Sequence, residues 1–163
     1  MPDLDALNSA SVDEARAWLA GCCGARRWVD GVLAARPFAS REALHGEAER
    51  IWRALERDDV LEAMSHHPRI GDTARASARE AGEQAGAASA ADAIKAAIAE
   101  GNRAYEARFG HIYLVCASGK SGEELHAFLR ARRGNDPTTQ LAVAAGEQEK
   151  ITRLRLDKLL GGP

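Results

Sequence analysis

The sequence predicts an all-α protein, one domain spanning residues 1–163 and folded as a compact bundle of about seven to nine helices. Alanine fills about a fifth of the positions and aromatic residues only 5%. That balance favours helices over a sheet, whose strands draw on β-branched and aromatic side chains. Apolar residues also recur at three- and four-residue spacing between capping residues. A chain of 163 residues buries a sizeable core in one domain without disulfides or a structural metal.

Ser11, followed by Asp13 and Glu14, opens a helix over 12–22 with Ala15, Trp18 and Leu19 on its apolar side, and Gly24 is expected to end it. A second helix runs through Trp28, Val32 and Leu33 to the Arg36-Pro37-Phe38 turn, since Pro37 disfavours helical geometry at Arg36. Ser40 caps a third, whose Leu44, Ala48, Ile51, Trp52 and Leu55 form one stripe. A short helix through Val60, Leu61 and Met64 stops before His66-His67-Pro68, which places His67 at a helix exit.

From Thr73 to Ala88 the chain is small, polar and glycine-bearing, a weak helix that depends on packing or ligand for order. Ser89 and Asp92 suggest a capping box opening a long helix through Ile94, Ile98, Gly101 and Tyr105, with Gly101 permitting close helix contact. The run 112–117 has strand-like propensity, but with no partner strand elsewhere it is expected to be helical. Ser121 caps a helix to Arg133, and Asp136-Pro137 starts a last one to Leu160.

The formal charge is −2, with acids and bases interspersed, so no footprint for nucleic acid or an anionic membrane is visible. No stretch approaches the ~20 apolar residues of a membrane span, and the N-terminus carries no apolar signal region. These features point to a cytoplasmic protein with a small-molecule partner. Cys22, Cys23 and Cys116 lack redox or zinc spacing and read as reduced structural thiols.

Histidine titrates nearest neutrality, which makes His67 a candidate acid/base, with His66 competing for that role and a surface or core histidine as the plain alternative. The adjacent pair does not converge on a metal. Glu83-Gln84 offers a carboxylate beside an amide for an imide- or urea-like ligand, or else a solvated helix face. Arg132 and Arg133 near a helix end are ordinarily solvent-facing. Arg155 shares an angular stripe with Leu141, Ala145, Gln148, Thr152 and Leu159, so it is expected to point inward, with Arg153 on the opposite side. Gln148 in that stripe implies an internal hydrogen-bond network or a pocket wall.

In combination and order, Arg36-Pro37-Phe38, Trp52, His67-Pro68-Arg69-Ile70-Gly71, Glu83-Gln84, Asn102 with Tyr105, Phe109-Gly110, Val115-Cys116-Ala117-Ser118-Gly119-Lys120, Arg132 and the Lys150-to-Leu156 ending resemble the OHCU decarboxylases of urate breakdown. The resemblance covers nearly the whole chain. It implies an all-helical homodimer, without metal or organic cofactor, that converts 2-oxo-4-hydroxy-4-carboxy-5-ureidoimidazoline (OHCU) to (S)-allantoin. It further implies His67, Glu83 and Arg132 as catalytic residues. Pro68, Glu80, Gln84, Val115, Cys116, Ala117, Ser118, Gly119 and Arg155 are implied as substrate contacts. Gln140 departs from a glutamate common in that family; if that glutamate orients Arg132 or its neighbours, Gln140 still accepts a hydrogen bond but supplies no charge, which weakens the pairing. A helical lyase on a related ureido or imidazoline acid, and a non-catalytic helical interaction module, are the competing readings.

Overall fold

The computed structural model describes residues 2–69 and 85–162. Eight helices and no strand occur among the described residues: α1 Leu4–Ser9, α2 Val12–Ala20, α3 Arg26–Ala35, α4 Arg41–Arg53, α5 Arg57–Ser65, α6 Ala85–Phe109, α7 Gly122–Arg132 and α8 Pro137–Leu159. The all-α expectation holds, and the helix number falls within the expected range.

Local chemistry sets most of the boundaries. Ser11 caps α2 in a full capping box with Glu14, and Ser40 caps α4 by accepting the Ala43 N–H. Ser121 does the same for α7 through Glu124, and Asp136 accepts the Thr139 N–H at 3.0 Å at the start of α8. Each satisfies a main-chain donor that the first helical turn leaves open.

Four boundaries differ from expectation. α2 ends at Ala20, with Gly21 rather than Gly24 as its cap. Gly24 has a different use: a Cβ there would lie 2.4 Å from the His66 ring. α4 stops at Arg53, so Leu55 lies beyond it. The helix expected from Ser89 is already formed at Ala85, because the alanine-rich run sustains helix through Ser89. Residues 112–117 are neither helix nor strand. The expectation of a weak helix over 73–88 lies largely outside the described residues.

The short α1 was not anticipated. Six residues carry too little periodicity to register, yet Asp3 caps it and Leu7 is fully buried.

The chain groups into two compact units, Met1–His66 with Ala145–Pro163, and His67–Ala144. In the first, α2 packs on α3 and α3 on α4. Gly31 lets α3 approach α4, since a Cβ would lie 2.9 Å from Ile51. Leu7, Leu19, Trp28, Leu44 and Leu156 are wholly buried, each leucine contributing about 1.5–3 kcal/mol. The indole N–H groups of Trp28 and Trp52 are not left unpaired by burial: they donate to Ala48 O at 3.1 Å and Ala145 O at 3.0 Å. Arg36 donates to Leu7 O and Ala10 O and so closes the carbonyl end of α1, while Arg41 holds the Leu160 and Gly162 carbonyls near the chain end.

In the second unit α6 packs against α7. Tyr105, Phe109, Tyr113, Val115 and Leu129 form its core, with Leu125 beside them. Gly101 permits this contact as expected, because a Cβ there would meet Leu129 Cδ2 at 2.5 Å.

Candidate active site

The two adjacent histidines separate at the exit of α5. His66 forms the helix cap, its N–H bonding back to Ala63 and Met64 carbonyls, and its ring lies over the Gly24 backbone. His67 is the first residue free of helical geometry and is half-buried, with Pro68 exposed after it. Arg69 pairs with Glu106 of α6 at 2.9 Å and anchors the segment that leaves His67.

Between α6 and α7 the chain crosses a non-helical segment. Gly110 and Gly119 adopt φ of +78° and +74°, a region that side-chain-bearing residues avoid. Tyr113, Leu114, Val115 and Cys116 are buried, whereas Ala117, Ser118 and Gly119 are exposed. The lack of helix here overturns the helical expectation for 112–117: packing of Tyr113 and Val115 into the core outweighs any local preference.

Buried carbonyls outside regular structure need donors from elsewhere. Arg132 Nη1 donates to Leu114 O at 2.5 Å, and Lys120 Nζ to Cys116 O at 2.6 Å. Tyr113 Oη donates to Leu125 O at 3.0 Å. Arg132 is 7% exposed, so the solvent-facing alternative considered for it does not hold; Arg133 is the exposed member of that pair.

Gln140 is fully buried beside Arg132. With its amide oxygen turned toward the surrounding donors, it accepts from Arg132 Nε at 2.8 Å, Arg132 Nη2 at 2.5 Å and Tyr105 Oη at 2.7 Å, and its nitrogen donates to Arg132 O at 3.2 Å. The network assigns that orientation. The Arg132 guanidinium also lies 4.8 Å from the Tyr113 ring centroid and 6.0 Å from that of Tyr105. Burial pushes the Tyr105 phenol up, against the opposing pull of the Arg132 charge. Among the described residues no carboxylate pairs with Arg132; its acceptors are neutral.

Arg155 is half-buried rather than inward-facing. The buried face of α8 within its unit carries Gln148, Thr152 and Leu156, and Arg155 lies at its margin, its Nη1 3.4 Å from Gly21 O at the end of α2. Arg153 is exposed, as expected, and pairs with Glu49 at 2.7 Å. Of the two roles open to Gln148, an internal hydrogen bond is present: its amide donates to Thr152 Oγ1 at 2.9 Å.

Glu80, Glu83 and Gln84 lie outside the described residues. Among the described residues no group of three His, Cys, Asp or Glu side chains is placed to hold a metal ion, and no helix is long and apolar enough to cross a membrane. Sequence reasoning passed over Lys120 and Tyr105 as individual groups. Lys120 follows Gly119, whose φ is positive, and no sequence signal marks its side chain as folded back onto Cys116 O.

A family model described as OHCU decarboxylase matches residues 8–157 of the chain. The chain is 36% identical over 146 residues to the uric acid degradation bifunctional protein TTL of Arabidopsis thaliana, covering 85% of this chain and 45% of that protein. It is 30% identical over 129 residues to the uric acid degradation bifunctional protein PucL of Bacillus subtilis (strain 168), covering 78% of this chain and 26% of that protein. It thus spans less than half the length of both relatives. A crystal structure of OHCU decarboxylase in the presence of (S)-allantoin is similar to it with a TM-score of 0.75 and 32% identity, covering 89% of this chain and 97% of that one.

Proposed function

Since this chain belongs to the OHCU decarboxylase family, we propose that it decarboxylates OHCU stereospecifically to (S)-allantoin in urate breakdown, without a cofactor, as one domain over residues 1–163. The observation that carries this reading is the likeness over nearly the full length of a solved decarboxylase, 97% of that chain.

Loss of carbon dioxide from the hydroxyl-bearing carbon leaves an electron pair that the adjacent ring C=N accepts. The protein then has two tasks: stabilising negative charge on the ring and delivering a proton to one face. His67 is the proton-handling group in this reading, supported by its release from helical geometry and its half-buried ring. Glu83 shares that task, with Glu80 and Gln84 beside it in sequence. Pro68 and the Val115–Gly119 segment contact the substrate, the exposed residues Ala117, Ser118 and Gly119 offering main-chain groups that belong to no helix. Arg155 contacts ring or ureido oxygens, because an arginine gripping only the departing carboxylate stabilises the ground state and opposes reaction. Arg132 acts on the developing negative charge through the segment it supports.

The protein works as a two-fold homodimer in the cytoplasm in this reading. Symmetric dimers are the commonest oligomers, and Cys22, Cys23 and Cys116, which form no disulfide, suit a reducing compartment. The deciding experiment generates OHCU from urate in situ and follows (S)-allantoin by circular dichroism with wild type, His67→Ala and no protein. Fast stereospecific product with wild type alone supports the reaction and the role of His67. Equal slow racemic product in all three removes the assignment and favours a helical interaction module; turnover of a different ureido acid favours a related lyase.

A further inference from the structure

Residues 113–116 are buried yet belong to no helix or strand, so nothing in regular structure fixes their carbonyls. Two cations do so instead. Arg132 takes Leu114 O at 2.5 Å and Lys120 takes Cys116 O at 2.6 Å, two residues further on. Charge-assisted hydrogen bonds of this kind are shorter and about twice as strong as neutral ones. Val115, between the two held carbonyls, is the residue whose main-chain groups neither cation takes.

Each cation is itself aimed. Gln140 receives Arg132 Nε and Nη2 on one oxygen, which with the Leu114 bond occupies three of the five guanidinium N–H groups. The Tyr113 ring lies against the guanidinium at 4.8 Å. Lys120 is directed by the turn at Gly119 (φ +74°), which its own N–H closes onto Ala117 O at 3.1 Å.

We propose that Lys120 and Arg132, the latter oriented by Gln140, are positioning residues that clamp the Leu114–Cys116 main chain so that Val115 to Gly119 presents a fixed wall to the substrate. This rests on the functional reading above, which takes that segment as a substrate contact. Neither cation needs to touch substrate: both act through the carbonyls they hold. A neutral amide at position 140 suits this role, since it fixes the direction of Arg132 without cancelling its charge.

The test compares wild type, Lys120→Met, Lys120→Arg and Gln140→Leu by steady-state kinetics on OHCU generated in situ. Hydrogen exchange of peptides covering 113–120 is followed by mass spectrometry, and thermal unfolding is recorded. Lys120→Met is expected to speed exchange of these amides about tenfold and to lower kcat/KM about tenfold, with the global melting midpoint little changed. Lys120→Arg restores both, because a guanidinium reaches the same carbonyl. Gln140→Leu speeds exchange in the same peptides and serves as the second variant where one fails to fold. Unchanged exchange in Lys120→Met overturns the clamp, including when turnover falls, since Lys120 then meets the ligand directly. If wild type does not turn over OHCU, the functional reading fails while the exchange data still decide the clamp.

Discussion

Glu62 of α5 accepts the main-chain N–H of Arg26 at 2.7 Å and so caps α3 from another helix. The N-cap residue, Ala25, supplies no side-chain acceptor, and the carboxylate also meets Arg26 Nε at 3.1 Å. That main-chain bond is the chief reason the Glu62 carboxyl sits below its ordinary 4.5, with partial burial opposing it and the Arg26 side chain adding to it.

Glu62→Ala is expected to cost about 1 kcal/mol, the usual worth of an N-cap acceptor, measured by urea unfolding at neutral pH. A carboxyl with a lowered native pKa stabilises above its unfolded value, and that contribution is lost as pH falls through the native one. The gap between wild type and variant therefore narrows below pH 4.5; a gap unchanged there would remove the capping role.

Gly101→Ala sets two effects against each other. Alanine gains about 1 kcal/mol of helix propensity over glycine. Its methyl, however, would sit 2.5 Å from Leu129 Cδ2, and Leu129 is wholly buried, so overpacking of about 1–3 kcal/mol prevails. Gly46→Ala, in α4 with nothing within 4 Å of its Cβ position, should instead stabilise by up to about 1 kcal/mol. Opposite shifts in urea midpoint verify both.

Cys22 and Cys23 should resist alkylation in the native state. Burial pushes both thiols up to about 11, against the lowering influence of nearby groups that include Arg155. At neutral pH the thiolate fraction is then about one in ten thousand, and thiolate is the nucleophile. Iodoacetamide followed by peptide mass spectrometry should label these residues fully only after unfolding; rapid native labelling contradicts the burial.

Arg155→Ala and Arg153→Ala form a matched pair. Loss of a hydrogen bond from a charged group to a ligand costs about 1.5–3 kcal/mol, so Arg155→Ala should lower kcat/KM about 10- to 100-fold. Arg153 spends its charge on Glu49 at the surface, and its removal should leave turnover within about twofold and cost under about 1 kcal/mol of stability. Full activity in Arg155→Ala removes it from the substrate contacts.

Helices α2 and α4 are legible because their starts are chemical: Ser11 and Ser40 are cap residues that precede an apolar stripe, whereas α1 is too short to register and α3 starts after Ala25 without a side-chain cap. Breakers are read less well. Gly24 looks like a terminator but accommodates the His66 ring, a long-range contact that no local rule contains. The non-helical state of 112–117 follows from core packing of Tyr113 and Val115, with the Leu114 and Cys116 carbonyls satisfied by Arg132 and Lys120, contacts that no local rule contains. Arg155 lies at the margin of the buried face because a six-residue stripe drawn at ideal pitch over 141–159 is offset from the face that carries Gln148, Thr152 and Leu156. The exit position of His67 was readable from Pro68 alone; its half-burial was not.

All three tryptophans, at positions 18, 28 and 52, fall in the unit Met1–His66 with Ala145–Pro163, and both tyrosines, Tyr105 and Tyr113, fall in His67–Ala144. The chain thus carries a separate native fluorophore set in each of its two compact units. Excitation at the red edge of tryptophan absorption watches one unit only. The tyrosine fine structure of the second-derivative absorbance spectrum, recorded on the same protein, watches the other. Coincidence of the two transitions is the standard criterion for all-or-none unfolding, and here it requires no attached dye.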